Sequence, residues 1–171
     1  MIFAVNKLNN LYAYGTIKKS LPIKDPIDKI IEDLSNPNYT VRYEAAYKIL
    51  ELGPKAKRAV PELIKIVENK NEDFEVQYIA VYALLTIGKD AKIATPALVN
   101  LIKDNTVFID IRCKAGEALA EMAPFSVPYL KKLLTSKDPD TVRITVHTIG
   151  QIGPQAKDTL SGLINILKTT R

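Results

Sequence analysis

Apolar positions along this chain recur with the period of an α-helix, stop, and then start again at a fixed distance. Val41, Ala45, Ile49 and Leu52 fall on one helical face. A second amphipathic stretch follows with Leu63, Ile64, Ile66 and Val67. The second stretch returns as Leu98, Val99, Leu101 and Ile102, and again as Leu130, Leu133 and Leu134. No segment alternates apolar and polar residues over the length of a strand, and no Asn-Gly hairpin turn occurs. The pattern predicts an all-α chain.

The recurrence is also literal. Residues 53–66 read GPKAKRAVPELIKI, residues 88–101 GKDAKIATPALVNL, and residues 153–166 GPQAKDTLSGLINI. A second phrase occurs four times, ahead of each of these and once more between them: YTVRYEAAYKILELG at 39–53, FEVQYIAVYALLTIG at 74–88, IDIRCKAGEALAEMA at 109–123 and DTVRITVHTIGQIG at 140–153. Val41, Val76 and Ile111 are 35 residues apart, and Val142 follows after 31. Gly53, Gly88 and Ala123 are also 35 apart, and Gly153 follows after 30, so the fourth unit reads as shortened. The glycines stand where a left-handed helix stop is wanted. Pro61, Pro96 and Pro128 fall at or near the start of each second helix, where a missing N–H leaves no bond unmade. The stretches NPN at 36–38 and KDPD at 137–140 offer turn chemistry and helix caps.

A helix pair of this size cannot bury its own apolar face, whereas stacked pairs share one continuous core. The expected architecture is an α-solenoid of stacked antiparallel helix pairs over residues 25–171, about four pairs plus a final helix. Residues 1–24, with MIFAV and LYAYG, are read as an N-terminal capping segment or a partner-binding arm. A short stack with apolar ends can also self-associate end to end.

The phrases NPNYTVRYEAAYKILELG at 36–53, DPDTVR at 138–143 and the LGPKA and IGPQA turns resemble the HEAT-repeat family, in particular its phycobilisome-lyase-like branch. The resemblance runs from about residue 25 to the C-terminus and implies a HEAT-like superhelix. It also implies a structural role for the arginines that occupy or adjoin the family's arginine slot, Arg42, Arg112 and Arg143: a tie to an acid in a neighbouring unit's turn. Gln77 fills that slot in the second unit. Two functions follow from the resemblance besides simple protein binding, namely a bilin lyase subunit or phycobilisome accessory factor, and a nucleic-acid-binding HEAT-like protein.

With Ala45, Ile49 and Leu52 inward, a turn of about 100° per residue points positions 43, 47 and 51 the other way. The predicted concave strip is therefore Tyr43, Tyr47 and Glu51, then Tyr78, Tyr82 and Thr86, then Cys113, Glu117 and Glu121, then Arg143, His147 and Gln151. Four of the eight tyrosines lie in two neighbouring columns of this strip. Tyrosine combines large contact area, a polar tip and little rotamer entropy, so these rings are candidate anchors for a protein partner. The competing reading is that they stack only on one another and on their helix neighbours.

Composition narrows the chemistry. A single Cys and a single His leave too few ligands for a zinc site. Cys113 and His147 lie on adjacent units, whose helices pack roughly 8–10 Å apart, too far for a direct hydrogen bond between most side chains. His147 is followed by Thr148, so the His-Glu pairs of HEAT-like metal hydroxylases are absent from the sequence. The net charge of +5 is spread among interspersed acids, and Glu51, Glu117 and Glu121 on the strip would repel phosphates. GPKAK and GKDAK lack the GK[ST] ending and flanking strand of a phosphate loop. The apolar runs are too short to cross a bilayer, and MIFAVNKLNN lacks the basic and apolar regions of a secretory signal. The lone cysteine fits a reducing compartment. Together these readings predict a cytoplasmic, non-enzymatic module with no cofactor and no membrane contact that binds another protein.

Overall fold

A computed structural model describes residues 25–169, which form nine α-helices joined by tight turns, with no strand among them. The helices are α1 (Pro26–Asp33), α2 (Tyr39–Leu52), α3 (Val60–Glu68), α4 (Phe74–Ile87), α5 (Thr95–Lys103), α6 (Ile109–Glu121), α7 (Val127–Leu133), α8 (Pro139–Ile152) and α9 (Leu160–Thr169). The even-numbered helices stack in one row, α2 on α4, α4 on α6 and α6 on α8. The odd-numbered helices form the second row, with α3 against α5 and α5 against α7. The chain is an α-solenoid. The capping or arm role expected of residues 1–24 lies outside the described residues.

Local chemistry sets the helix starts. Asn38 caps α2 by accepting from the Thr40 N–H at 2.9 Å, and Asp138 caps α8 by accepting from the Thr141 N–H at 2.9 Å. Pro26, Pro61, Pro96, Pro128 and Pro139 occupy the first turns of α1, α3, α5, α7 and α8. Before Pro61 and Pro96 the chain runs through 3₁₀ turns at Gly53–Ala59 and Gly88–Ala94, and α3 and α5 begin one residue ahead of the proline, so neither helix is kinked by it.

The structure corrects the sequence reading in three places. The glycines that end α2, α4 and α8 have positive φ, but not the left-handed helical conformation: Gly53 sits at φ 52°, ψ −130°, Gly88 at 65°, −133°, and Gly153 at 64°, −135°. That region mirrors extended backbone and strains any side chain with a Cβ, so glycine is favoured there more strongly than at an ordinary helix stop. The fourth unit is not shortened. Its inner helix α8 spans 14 residues, as do α2 and α4, and a seven-residue 3₁₀ turn follows it. The missing residues come from the second half of the third unit, where α7 has 7 residues and no 3₁₀ segment precedes it. Thr141, not Val142, consequently takes the buried place of Val76 and Ile111. Last, α9 is the partner of α8, so among the described residues the helix left outside the four pairs is α1, not α9.

The core runs through all units without a break. Ile49, Leu63, Leu84, Leu98, Ile102, Ile111, Leu119, Met122 and Leu130 are completely buried, while Val41 and Leu52 on the expected stripe are half-buried. Each fully buried aliphatic side chain contributes about 1.5–3 kcal/mol from loss of water contact, which is what holds units together that would not fold alone.

Polar ties repeat at the unit junctions. Arg42 donates to the carbonyls of Asn36 (2.9 Å) and Pro37 (3.1 Å) in the turn before α2, and to Glu72 (2.7 Å) and Asp73 (2.9 Å) in the turn before α4. Gln77, one unit on, donates to the Val67 carbonyl at 3.1 Å. Arg112 donates to the Ile102 carbonyl at 3.0 Å and reaches Asp138 at the head of α8. Arg42 and Arg112 thus bind acids of the following turn. Arg143 is one residue beyond that slot and pairs with Asp140 in its own first turn at 3.1 Å.

Candidate functional site

The outward side of the even-numbered row carries all twelve strip positions: Tyr43, Tyr47 and Glu51 on α2, Tyr78, Tyr82 and Thr86 on α4, Cys113, Glu117 and Glu121 on α6, and Arg143, His147 and Gln151 on α8. The columns stay in register because the inner helices start at equivalent places in the repeat and side chains four apart share a face. None of the twelve is buried. Tyr47 keeps 45% and Tyr82 36% of its surface, whereas Tyr43, Tyr78, Thr86, Cys113 and Glu117 are half-buried.

Some of these residues converge and others do not. Tyr78, Cys113 and Glu117 line a groove of about 280 Å³ between α4 and α6, together with Phe74, Asp110 and Lys114. Glu117, Glu121 and Gln151 line another of about 280 Å³ between α6 and α8, with Leu85 and Ala120. Thr86 serves the scaffold: its hydroxyl donates to the Ala83 carbonyl at 3.0 Å. Tyr43 stacks on Tyr39 and Tyr78 on Phe74, with ring centroids 6.1 and 6.0 Å apart, so these two tyrosines are held by helix neighbours. Tyr47 and Tyr82 belong to neither stack. Cys113 is a free thiol, and among the described residues no cluster of three or more His, Cys, Asp or Glu could hold a metal ion.

Sequence reasoning missed the groups that flank the tyrosines. Lys114 lies between columns, with its ammonium 4.9 Å from the centre of the Tyr82 ring and paired with Glu117. Burial pulls the Lys114 pKa down, but the hydrogen bond and charge of Glu117, aided by Tyr78 and Tyr82, outweigh it and the pKa rises. Phe74 and Phe108 meet edge to face at 5.0 Å on the rim of a recess of about 330 Å³. Val67, Leu101 and Val107 also line that recess, and the Lys70–Asp104 pair closes one edge at 3.0 Å. The signal was present in the spacing: Tyr39 and Phe74 occur four residues before Tyr43 and Tyr78, one helical turn along the same face.

Comparison with known proteins agrees with this geometry. Residues 27–109 match the family of HEAT repeats, which supports the HEAT-repeat reading of the chain. No curated protein matches the sequence. Among solved structures, the fold is similar to two crystal structures of engineered proteins. One is 21% identical, with a TM-score of 0.57, over 82% of this chain and 68% of that one. The other is 19% identical, with a TM-score of 0.60, over 82% of this chain and 69% of that one. At such identities the likeness concerns the fold alone. Among the described residues no helix is long and apolar enough to cross a membrane.

Proposed function

We propose that the chain is a non-enzymatic protein-binding module whose inner helical row receives a protein partner, with Tyr47 and Tyr82 as anchors. The observation that carries this reading is that these two rings stay exposed at equivalent positions of adjacent helices while the rigid rows beneath them are fully packed. A preorganised surface loses little entropy on binding, so aromatic anchors there are energetically efficient. Glu51, Glu117 and Glu121 beside them favour a partner that presents basic residues and disfavour phosphate backbones. The proposed setting is a reducing compartment such as the cytoplasm, where Cys113 would remain a thiol.

The test is affinity capture from the native host, followed by titration of the captured protein against wild type and the Tyr47→Ala, Tyr82→Ala double variant. Each ring, if it anchors the partner, contributes on the order of 1–2 kcal/mol. Unchanged affinity in the double variant removes the tyrosines from the site. Visible absorbance developing on mixing with a tetrapyrrole would instead favour the narrower bilin-lyase reading, and salt-sensitive retention of DNA or RNA the nucleic-acid one.

A further inference from the structure

The junction between the second and third units lacks the tie that its neighbours have. Gln77 and Arg112 begin alike: each donates to the carbonyl of the penultimate residue of the preceding outer helix, Gln77 to Val67 at 3.1 Å and Arg112 to Ile102 at 3.0 Å. Arg112 then continues to Asp138 at the head of α8, as Arg42 does to Asp73 at the head of α4. Gln77 ends at its amide, and the head of α6 holds Phe108 in place of an aspartate. Val107 likewise stands where Glu72 accepts from Arg42 one unit earlier. Phe108 gives its helix no side-chain cap and is 66% exposed. A missing ion pair, an apolar residue at a cap position and an exposed ring thus coincide, and each forgoes stability that the chain secures at its other junctions.

The hollow at this junction differs in chemistry from the one before it. At the first junction a hollow of about 370 Å³ is lined by Arg42 and Glu72 with polar groups of the turn, Ser35, Asn36 and Asn69. The recess at the second, of about 330 Å³, is walled by Val67, Leu101, Val107 and the edge-to-face rings of Phe74 and Phe108. It is large enough for a bulky side chain, and its walls favour an apolar one. Its rim is acidic, with Glu68, Glu72 and Asp104 against Lys70. Arg42 answers Glu72 and Lys70 answers Asp104, so among the described residues Glu68 is the charge left over. Phe74 also lines the groove that holds Tyr78 and Cys113, which makes the recess continuous with the inner-row strip. We infer that the recess receives one bulky apolar side chain of the protein partner, next to which the partner carries a basic residue that meets Glu68. The inference rests on the protein-binding reading above and adds to it the chemistry the partner presents. The same carboxylate disfavours an acidic segment.

The probe is phenethylamine, a ring on a cationic tether, with hydrocinnamate as its anionic counterpart, each titrated into the isotope-labelled full chain and followed by backbone amide NMR. Saturable shifts at Gln77, Val107 and Phe108 are expected for the amine, on the order of millimolar for a fragment of this size, with weaker binding of the anion. The Gln77→Arg, Phe108→Asp variant rebuilds inside the recess the tie of the third junction. It is expected to melt no lower than wild type and to lose the amine shifts. Phe108→Ser, which restores a capping side chain and removes one wall, is expected to lose them too and serves if the first variant does not fold. Absence of saturable shifts at the recess, equal binding of amine and anion, or amine binding retained in the folded variant would each overturn the inference. With the captured partner, the rebuilt junction is expected to weaken binding roughly tenfold. Unchanged partner affinity there, beside a loss in the Tyr47→Ala, Tyr82→Ala variant, overturns the recess and leaves the tyrosine strip standing. The reverse pattern removes the tyrosines and supports the recess.

Discussion

Arg112 and Asp138 tie the third repeat to the fourth: the guanidinium is buried in α6, and the carboxylate it binds is the one that caps α8. The Asp138 Oδ2 atom also accepts from the Thr141 N–H at 2.9 Å and from the Thr141 hydroxyl at 2.6 Å. A single oxygen thus joins a helix cap to an inter-unit ion pair. Removing Arg112 takes one of the two donors to the Ile102 carbonyl, the other being the Thr141 hydroxyl at 3.1 Å, and leaves that carboxylate without its counter-charge. Arg112→Ala is therefore expected to lower unfolding free energy by about 3 kcal/mol. Gln77→Ala, at the equivalent position, loses one neutral hydrogen bond and about 1 kcal/mol. Urea unfolding followed by circular dichroism measures both, and equal effects would show that the charge tie adds nothing.

The same junction makes the fold sensitive to acid. Hydrogen bonds from the Thr141 hydroxyl, then Arg112 and the Thr141 backbone, hold the Asp138 pKa at about 2. Asp104 is likewise lowered to about 2 by the Thr106 hydroxyl and then by Lys70. A carboxylate whose pKa is lower folded than unfolded favours the fold in its ionised form. That contribution is fully present above the ordinary carboxylate value near 4 and is lost as pH falls from there through about 2. Melting temperature is expected to be flat with respect to these two groups from pH 5 to 7 and to drop between pH 4 and 2. Asp138→Asn should reduce the steepness of that drop. A variant whose acid limb matches wild type would show that Asp138 is not among its causes.

Gly116 tests how closely the inner row is packed. Alanine favours an α-helix over glycine by about 1 kcal/mol, so at an open site Gly→Ala stabilises. At Gly116 the new methyl meets the Thr148 hydroxyl at 2.6 Å and Ile144 at 3.0 Å, both on stiff β-branched side chains. Overpacking of this kind costs about 1–3 kcal/mol, so Gly116→Ala is expected to be destabilising overall. Thr148→Ala removes the obstructing hydroxyl, which otherwise donates to the Ile144 carbonyl within α8 at 2.9 Å. The double variant should recover stability relative to the sum of the singles, and strict additivity would place the two residues out of contact.

The repeat, the helices and the outward columns could be read from the sequence because each rests on a local regularity: 3.6-residue spacing, a 35-residue period, and prolines at first turns. The Arg42 and Arg112 ties were legible only through resemblance, since a salt bridge to a residue 30 positions away, such as Glu72, leaves no periodic mark. The shortened third unit was misplaced for a related reason. Shortening an outer half by five residues puts the equivalent place at Thr141, 30 after Ile111, and the adjacent Val142 then mimics Val41 although Thr141 fills the buried place. Aromatic stacking at Phe74 and Phe108 was missed because Phe108 lies in a turn, where helical spacing says nothing about which rings meet. Of the strip residues, Thr86 and Arg143 show the limit of position alone: Thr86 spends its hydroxyl on backbone carbonyls of α4 and α2, and Arg143 its guanidinium on its own first turn.

The glycine turns offer a last discriminating substitution. Gly88 has φ 65° and ψ −133°, and a Cβ added there would meet nothing within 4 Å. Any loss of stability in Gly88→Ala therefore reports backbone strain and not crowding. A residue with a side chain in this region costs of order 1–3 kcal/mol, from which the reduced entropy of the unfolded chain returns roughly 0.4–1. Alanine already stands at the equivalent position of the third unit, Ala123, but there no residue has positive φ and α6 ends through Met122 at φ −87°, ψ 5°. The chain thus has a second way of turning that alanine can adopt. Gly88→Ala is expected to lose about 1–2 kcal/mol if the 3₁₀ turn at Gly88–Ala94 is rigid. Denaturant unfolding of Gly88→Ala beside Gly53→Ala decides the point: a neutral effect at both sites would mean that these turns relax readily into the third unit's geometry.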